Sequence, residues 1–283
     1  MPTFPRPSRK NRTARAFTLI ELLVVISIIA LLIGILLPAL GTARGAAKAV
    51  SSLSNVRQWG IGTISFADQN KDLIPFFGYD NPGTAGGTPS TRAWDRNDWW
   101  ANAVPQFLGQ RPYKQLSADL GTGVPMPPAS GSIFVDPAAQ RPASGVPYTA
   151  TGGGSFFFCY VPNTKLDRQS PVRDAIDNGE RRVKQGMIPN PAMTVIMLEM
   201  RTVGTELPTG HADAGVSLDR AKAHWNRFAA RHSKGGHMLF GDGHGEHVKY
   251  DYAGMVATQD YVVPSSSGRN KPDLIWSPLG DAN

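Results

Sequence analysis

The sequence predicts an α+β fold, with a long N-terminal transmembrane helix packed on a mainly antiparallel β-sheet domain. Three observations carry this. Residues 17–40 (FTLIELLVVISIIALLIGILLPAL) are apolar almost throughout, with Glu21 as the single acid. A stripe at three-to-four-residue spacing continues beyond Pro38. Short β-type apolar runs and an Asp-Gly turn mark the remainder. Three segments follow: a basic leader at 1–16, a helix at 17–68 and an outer α+β domain at 69–283.

The apolar run is long enough to cross a bilayer, which takes about 20 mostly apolar residues. Ahead of it stand Arg6, Arg9, Lys10, Arg12 and Arg15 with no acid. A basic flank before the first span holds the N-terminus in the cytoplasm and sends the rest across. Pro2, Pro5 and Pro7 work against a helix in the leader. A secretory signal also has a basic start, but its apolar stretch is shorter, about 7–15 residues, and ends at a small-residue cleavage site. The sequence Leu36-Leu37-Pro38-Ala39-Leu40-Gly41 loosely imitates such a site. Length and the position of Glu21 favour a retained helix. An acid inside an apolar span is a functional candidate by default.

Past Pro38 the stripe Ala43, Ala46, Ala47, Val50, Leu53, Val56, interleaved with Arg44, Lys48 and Arg57, predicts an amphipathic continuation packed on the domain's own sheet. A kink is expected near Pro38, whose ring cannot support the regular helix bond. Gly41 and Gly45 weaken that region, and Gly60 and Gly62 weaken the far end. The helix is expected to stop between Gly60 and Asn70.

In the outer domain, residues 81–92 and 122–132 have loop composition. Between them Trp94, Trp99, Trp100, Val104 and Phe107 fit a short helix with an aromatic face, which reads as core, or a lid over it, rather than as a ligand platform. Residues 155–161 and 194–200 have the composition of buried strands, the second ending with Glu199 and entered through Pro189-Asn190-Pro191. Cys159 is the only cysteine, so no intrachain disulfide forms, and its aromatic neighbours make it a buried strand residue. The 30 Gly and 23 Pro imply many turns.

The formal net charge is +7, but removing the five leader charges leaves +2. The remaining Lys and Arg are scattered. A nucleic-acid partner needs a basic stripe, so that class is excluded.

Residues 232–250 (HSKGGHMLFGDGHGEHVKY) form a hairpin pattern. Met238, Leu239 and Phe240 make an apolar strand, Asp242-Gly243 turns it, and 244–250 return. Asp-Gly suits the positive backbone angles of a tight turn. His224, His232, His237, His244 and His247, with Asp242 and Glu246, offer metal-ligand types. On alternating strand positions His244 and Glu246 share a face while His247 points away. No HExxH or comparable spacing is present. Two readings stand side by side. In the structural one, Asp242 shapes the turn and His232 bonds across the hairpin. In the metal one, His232, His237 and His244 are the candidate ligands.

The junction Ala16-Phe17-Thr18-Leu19-Ile20-Glu21, followed by Leu-Leu-Val-Val-Ile, resembles the class III signal of type IV prepilins and type II secretion pseudopilins. The resemblance implies a cut between Ala16 and Phe17 by a membrane prepilin peptidase, N-methylation of Phe17, and retention of the helix for assembly. Glu21 then becomes the fifth mature residue and Pro38 the twenty-second, where these proteins often carry proline. The family usually has Gly where Ala16 stands. His232, nine residues, then Asp242-Gly243 resembles the H-X9-DG motif of prepilin-like proteins abundant in planctomycetes. The strand at 191–199 and the post-membrane helix at 43–68 resemble the same set.

The leading expectation is a non-enzymatic, membrane-inserted pilin-like subunit of a pseudopilus or type II secretion-like system, with no cofactor. Its partners would be a prepilin peptidase, other pilin-like subunits and the lipid bilayer. It would sit in a bacterial inner membrane, single-pass, with a periplasmic C-terminal domain. Glu21 would pair with the Phe17 amine of a neighbouring subunit, or else lie at the interface and reach water. The alternative is a membrane-anchored extracytoplasmic ligand- or metal-binding domain using the signal for delivery. A hydrolase built on the His/Asp cluster lacks a nucleophile motif such as GxSxG.

Overall fold

The computed structural model describes residues 18–77, 96–120, 132–140, 148–149, 155–156, 158–163, 166, 173–176, 180–207 and 227–249. The chain divides into two units, Met1–Arg44 and Gly45–Asn283.

Helix α1 spans Leu19–Gln69 and is unbroken through Pro38, Gly41 and Gly45. Its start is a reciprocal cap. The Thr18 backbone N–H donates to Glu21 Oε2 at 2.9 Å, and the Glu21 N–H donates to Thr18 Oγ1 at 3.2 Å. This Thr-x-x-Glu capping box satisfies two of the donors that a helix N-terminus leaves open. It is the one helix among the described residues long and apolar enough to cross a membrane. In the first unit its Leu, Ile and Val side chains are all exposed, which suits a lipid solvent.

Within the second unit the helix buries Ser52, Val56, Trp59, Gly60, Gly62, Thr63, Phe66 and Ala67. The expected stripe is therefore corrected: Ala43, Ala46, Ala47 and Val50 are exposed, and the buried face starts with a serine. The helix ends at Gln69, within the expected interval, where Asn70 Nδ2 donates to the Phe66 carbonyl at 2.8 Å. Lys71 and Asp72 then take positive φ, and the Asp72 N–H returns to the Ala67 carbonyl.

The sheet has order β3-β6-β7-β8 and is antiparallel throughout. Its strands are β3 (Tyr160–Pro162), β6 (Val195–Glu199), β7 (Gly235–Phe240) and β8 (Gly245–Lys249). Pro162 falls on an edge strand, where a missing N–H is tolerated. Every residue of β6 and β7 is buried. The expected strand at 155–161 is two pieces, β2 (Ser155–Phe156) pairing with β1 (Tyr148–Thr149), and β3. A separate hairpin joins β4 (Arg173–Ile176) to β5 (Glu180–Val183).

Two short helices follow α1: α2 (Trp100–Phe107) and α3 (Tyr113–Leu120). Trp99 and Trp100 are buried in an edge-to-face cluster with Trp59, Tyr113, Phe134 and Phe158. Such rings fill a core, and their tilted contacts follow the aromatic quadrupole. Cys159 is buried, and burial pushes its thiol well above the ordinary range, so it is inert. Trp94, His224 and nearly all of the loops at 81–92 and 122–132 lie outside the described residues.

Candidate functional site: a buried His–carboxylate cluster

The hairpin joining β7 to β8 is closed by three residues. The Gly243 N–H donates to the Phe240 carbonyl at 2.9 Å, and the Phe240 N–H to the His244 carbonyl at 3.0 Å. Gly243 has φ +87, the glycine position of a three-residue loop with a bulge. The expected turn at Asp242-Gly243 is present, with the positive φ carried by Gly243 alone. Asp242 Oδ1 accepts the His244 N–H at 3.0 Å and meets His244 Nδ1 at 2.5 Å. Desolvation opposes ionisation of Asp242, but the bonds and charge of His244 together prevail and hold its carboxyl below the usual range. His244 is exposed and stacks on Phe240.

The turn seats directly on α1. A Cβ at Gly60 would lie 2.4 Å from the Gly243 carbonyl oxygen, and one at Gly243 would lie 2.4 Å from Ile64. Both glycines are needed for this approach.

His232 lies at the other end of β7, and its ring does not bond across the hairpin. His232 Nε2 is 2.8 Å from Asp136 Oδ2 and 3.3 Å from Glu199 Oε1. Its hydrogen bonds to the hairpin come from the backbone, whose N–H and carbonyl pair with Gly235 and whose carbonyl accepts from His247 Nε2 at 2.7 Å, while the ring packs on His237 with centroids 4.9 Å apart. His237 lies directly opposite His247 in the ladder. Its Nδ1 stands 3.2 Å from Ser52 Oγ and 3.5 Å from Glu199 Oε2.

Glu199 is the hub. It is fully buried at the end of β6. Oε1 accepts from Ser52 Oγ at 2.5 Å, and Oε2 accepts the His237 backbone N–H at 2.9 Å. Tyr160 Oη lies 2.9 Å from Ser52 Oγ. Gly236 permits the approach, because a Cβ there would sit 2.7 Å from Glu199 Oε2. Beside the hub, Arg231 bonds Glu206 at 3.2 Å and the Met200 carbonyl at 2.5 Å, with Asp136 3.8 Å from its Nε.

These surroundings set the protonation states. Burial opposes ionisation of Glu199, but hydrogen bonds from Asp136, His232 and His237 and the Arg231 charge hold it well below the usual carboxylate range. Burial, then the Glu199 charge, raises Asp136. Two facing carboxyls cannot both ionise cheaply, so their titrations are coupled. Burial works against the His232 cation, yet its bonds to Asp136 and Glu199 prevail and raise it to about 9. The same burial and the charges of Asp136 and Glu199 push Tyr160 well up.

Of the predicted metal candidates, His232 and His237 converge with Glu199, their ligand atoms all within 4.8 Å of one another, and His244 does not join them. Asp136, Ser52, Tyr160, Arg231 and Glu206 were not singled out by the sequence. The one local signal was an acid, Glu199, ending an otherwise apolar strand. At the other end of the chain, Glu21 sits in its capping box and Pro38 lies inside α1. Ala16 and Phe17 lie outside the described residues.

A family model described as the prokaryotic N-terminal methylation motif matches residues 11–37. No curated protein and no solved structure matches the chain. The matched segment covers the basic residues Arg12 and Arg15, the Ala16-Phe17 junction, Glu21 and most of the apolar run. It marks the N-terminus as that of a type IV pilin-like precursor handled by a prepilin peptidase, with an apolar helix suited to inner-membrane anchoring.

Proposed function

We propose that the chain is a non-enzymatic pilin-like subunit of a pseudopilus or type II secretion-like system. It is cut between Ala16 and Phe17, methylated on Phe17, and assembled through the first half of α1. The methylation motif at residues 11–37 carries this reading. The N-terminus stays in the cytoplasm, because five basic residues precede the span. The domain that follows then lies on the periplasmic side.

Assembly gives the exposed apolar helix a function that a simple anchor does not need. Subunits stacked through such helices favour the register in which each Glu21 meets a Phe17 amine, since opposite charges attract strongly in low dielectric. The buried polar cluster serves the subunit by fixing the second half of α1 against its sheet.

Mass spectrometry of the mature protein tests processing. A chain beginning at methylated Phe17 is the expected result. A terminus near Leu40 would instead mean ordinary secretory cleavage and end the proposal. Engineered cysteines in the first half of α1 should crosslink neighbouring subunits in membranes, with the native Cys159 silent because it is buried. A delivered, unassembled binding domain would give no crosslink.

A further inference from the structure

We infer that Glu199, His232 and His237 form a divalent transition-metal site, with the fourth position left to solvent and the Asp136 carboxyl alongside. This goes beyond the assembly reading and does not depend on it.

The donor set is two imidazole nitrogens and one carboxylate, the ligand types that suit zinc and its neighbours. Ligand atoms of Glu199, His232 and His237 lie within 4.8 Å of one another, in the interior of the second unit. Zinc bonds of about 2.0–2.2 Å place tetrahedral ligand atoms roughly 3.3–3.5 Å apart. The two Glu199 oxygens each face one imidazole near that spacing, Oε1 at 3.3 Å from His232 Nε2 and Oε2 at 3.5 Å from His237 Nδ1. Asp136 Oδ2, 2.8 Å from His232 Nε2, is a hydrogen-bond partner of that ring in the metal-free protein.

Glu199 and its surroundings are held by further partners, as the neighbours of a metal are. Ser52 and the His237 N–H fix the Glu199 carboxylate. The Ala138 N–H holds Asp136 Oδ1, and the Gly235 and His247 contacts pin the His232 backbone. Arg231 uses its terminal nitrogens on Glu206 and the Met200 carbonyl, and its Nε contact to Asp136 is long at 3.8 Å. The Glu199 carboxylate and two neutral imidazoles around a dication carry one positive charge, which the adjacent Asp136 carboxylate balances in the low-dielectric interior. The imidazole protons leave to solvent as the metal binds.

The test uses the full chain in detergent, stripped with EDTA and then equilibrated with zinc or cobalt(II). One zinc per chain, a raised Tm and the strong visible bands of tetrahedral cobalt with N/O ligands are expected. Glu199→Gln and His237→Gln should weaken zinc binding by about 100-fold or more, while His244→Ala should bind as the parent does. Circular dichroism of each variant checks folding, and the cobalt spectrum of the parent chain needs no variant. Substoichiometric zinc with a Tm indifferent to zinc and EDTA overturns the site. So does retention of zinc by a folded Glu199→Gln chain.

Discussion

Ser52 Oγ lies 2.5 Å from Glu199 Oε1, joining the buried face of α1 to the end of β6. The same oxygen is 2.9 Å from Tyr160 Oη and 3.2 Å from His237 Nδ1. In the metal-free protein this one hydroxyl donates to Glu199 and accepts from Tyr160 and His237, so it serves three buried groups. Ser52→Ala leaves a carboxylate, a phenol and an imidazole each short of a partner. A loss of about 1–3 kcal/mol in unfolding free energy is expected. Denaturant titration of Ser52→Ala beside Ser54→Ala, at an exposed position, measures it; equal stability of the two would remove Ser52 from the network.

The Gly60–Gly243 contact makes a sharper steric prediction. Gly60→Ala drives a methyl group into the Gly243 carbonyl, and Gly243→Ala adds a clash with Ile64 to an unfavourable φ of +87. Each should destabilise the domain by about 1–3 kcal/mol. Gly45→Ala meets nothing within 4 Å, so helix propensity should make it stabilising by about 0.5–1 kcal/mol. Thermal melts of the three variants should split in this pattern. A neutral Gly60→Ala would mean that the turn does not sit on the helix.

The membrane helix, the central strand and the β7–β8 turn were legible because each is a local pattern: an apolar run, a run opening on Val195-Ile196, an Asp-Gly pair. The buried face of α1 was not, since it is led by Ser52 while the apolar Val50 faces outward. A hydrophobic stripe cannot reveal a helix face whose first core contact is polar. His232 was legible as a candidate, but its partner was misplaced. Asp136 lies 96 positions away and reaches the ring only once the fold is complete. The tertiary cluster of Asp136, Glu199, Glu206 and Arg231 has no sequence period. Only the isolated acid closing β6 hinted at it.

The raised His232 titration predicts a pH dependence for the metal-free protein. Its folded value is about 9 against an ordinary value of 6.5. A base that binds its proton more tightly when folded stabilises the fold fully below the unfolded value. That contribution fades as pH rises from about 6.5 and is gone above about 9. The shift corresponds to on the order of 3 kcal/mol at most. In EDTA, parent stability should fall between pH 6.5 and 9.5, and His232→Gln should show a flatter profile from a lower start. Parallel profiles for the two proteins would show that His232 is not the titrating group.

At the other end of the chain, Glu21 has two claims on its charge. In the single chain it caps α1, accepting from the Thr18 N–H and hydroxyl at 2.9 and 3.0 Å. In an assembly the Phe17 amine of a neighbour competes for the same oxygens. Thr18→Ala and Glu21→Val separate these roles. Thr18→Ala removes part of the cap, about 1 kcal/mol of helix stability, but leaves the acid free to pair, so filaments should persist. Glu21→Val makes the span more apolar, so membrane insertion should survive while co-assembly fails. Fractionation reports insertion, and incorporation of tagged variants into filaments reports assembly. Normal incorporation of Glu21→Val would refute the pairing, and equal failure of both variants would assign the acid to the cap alone.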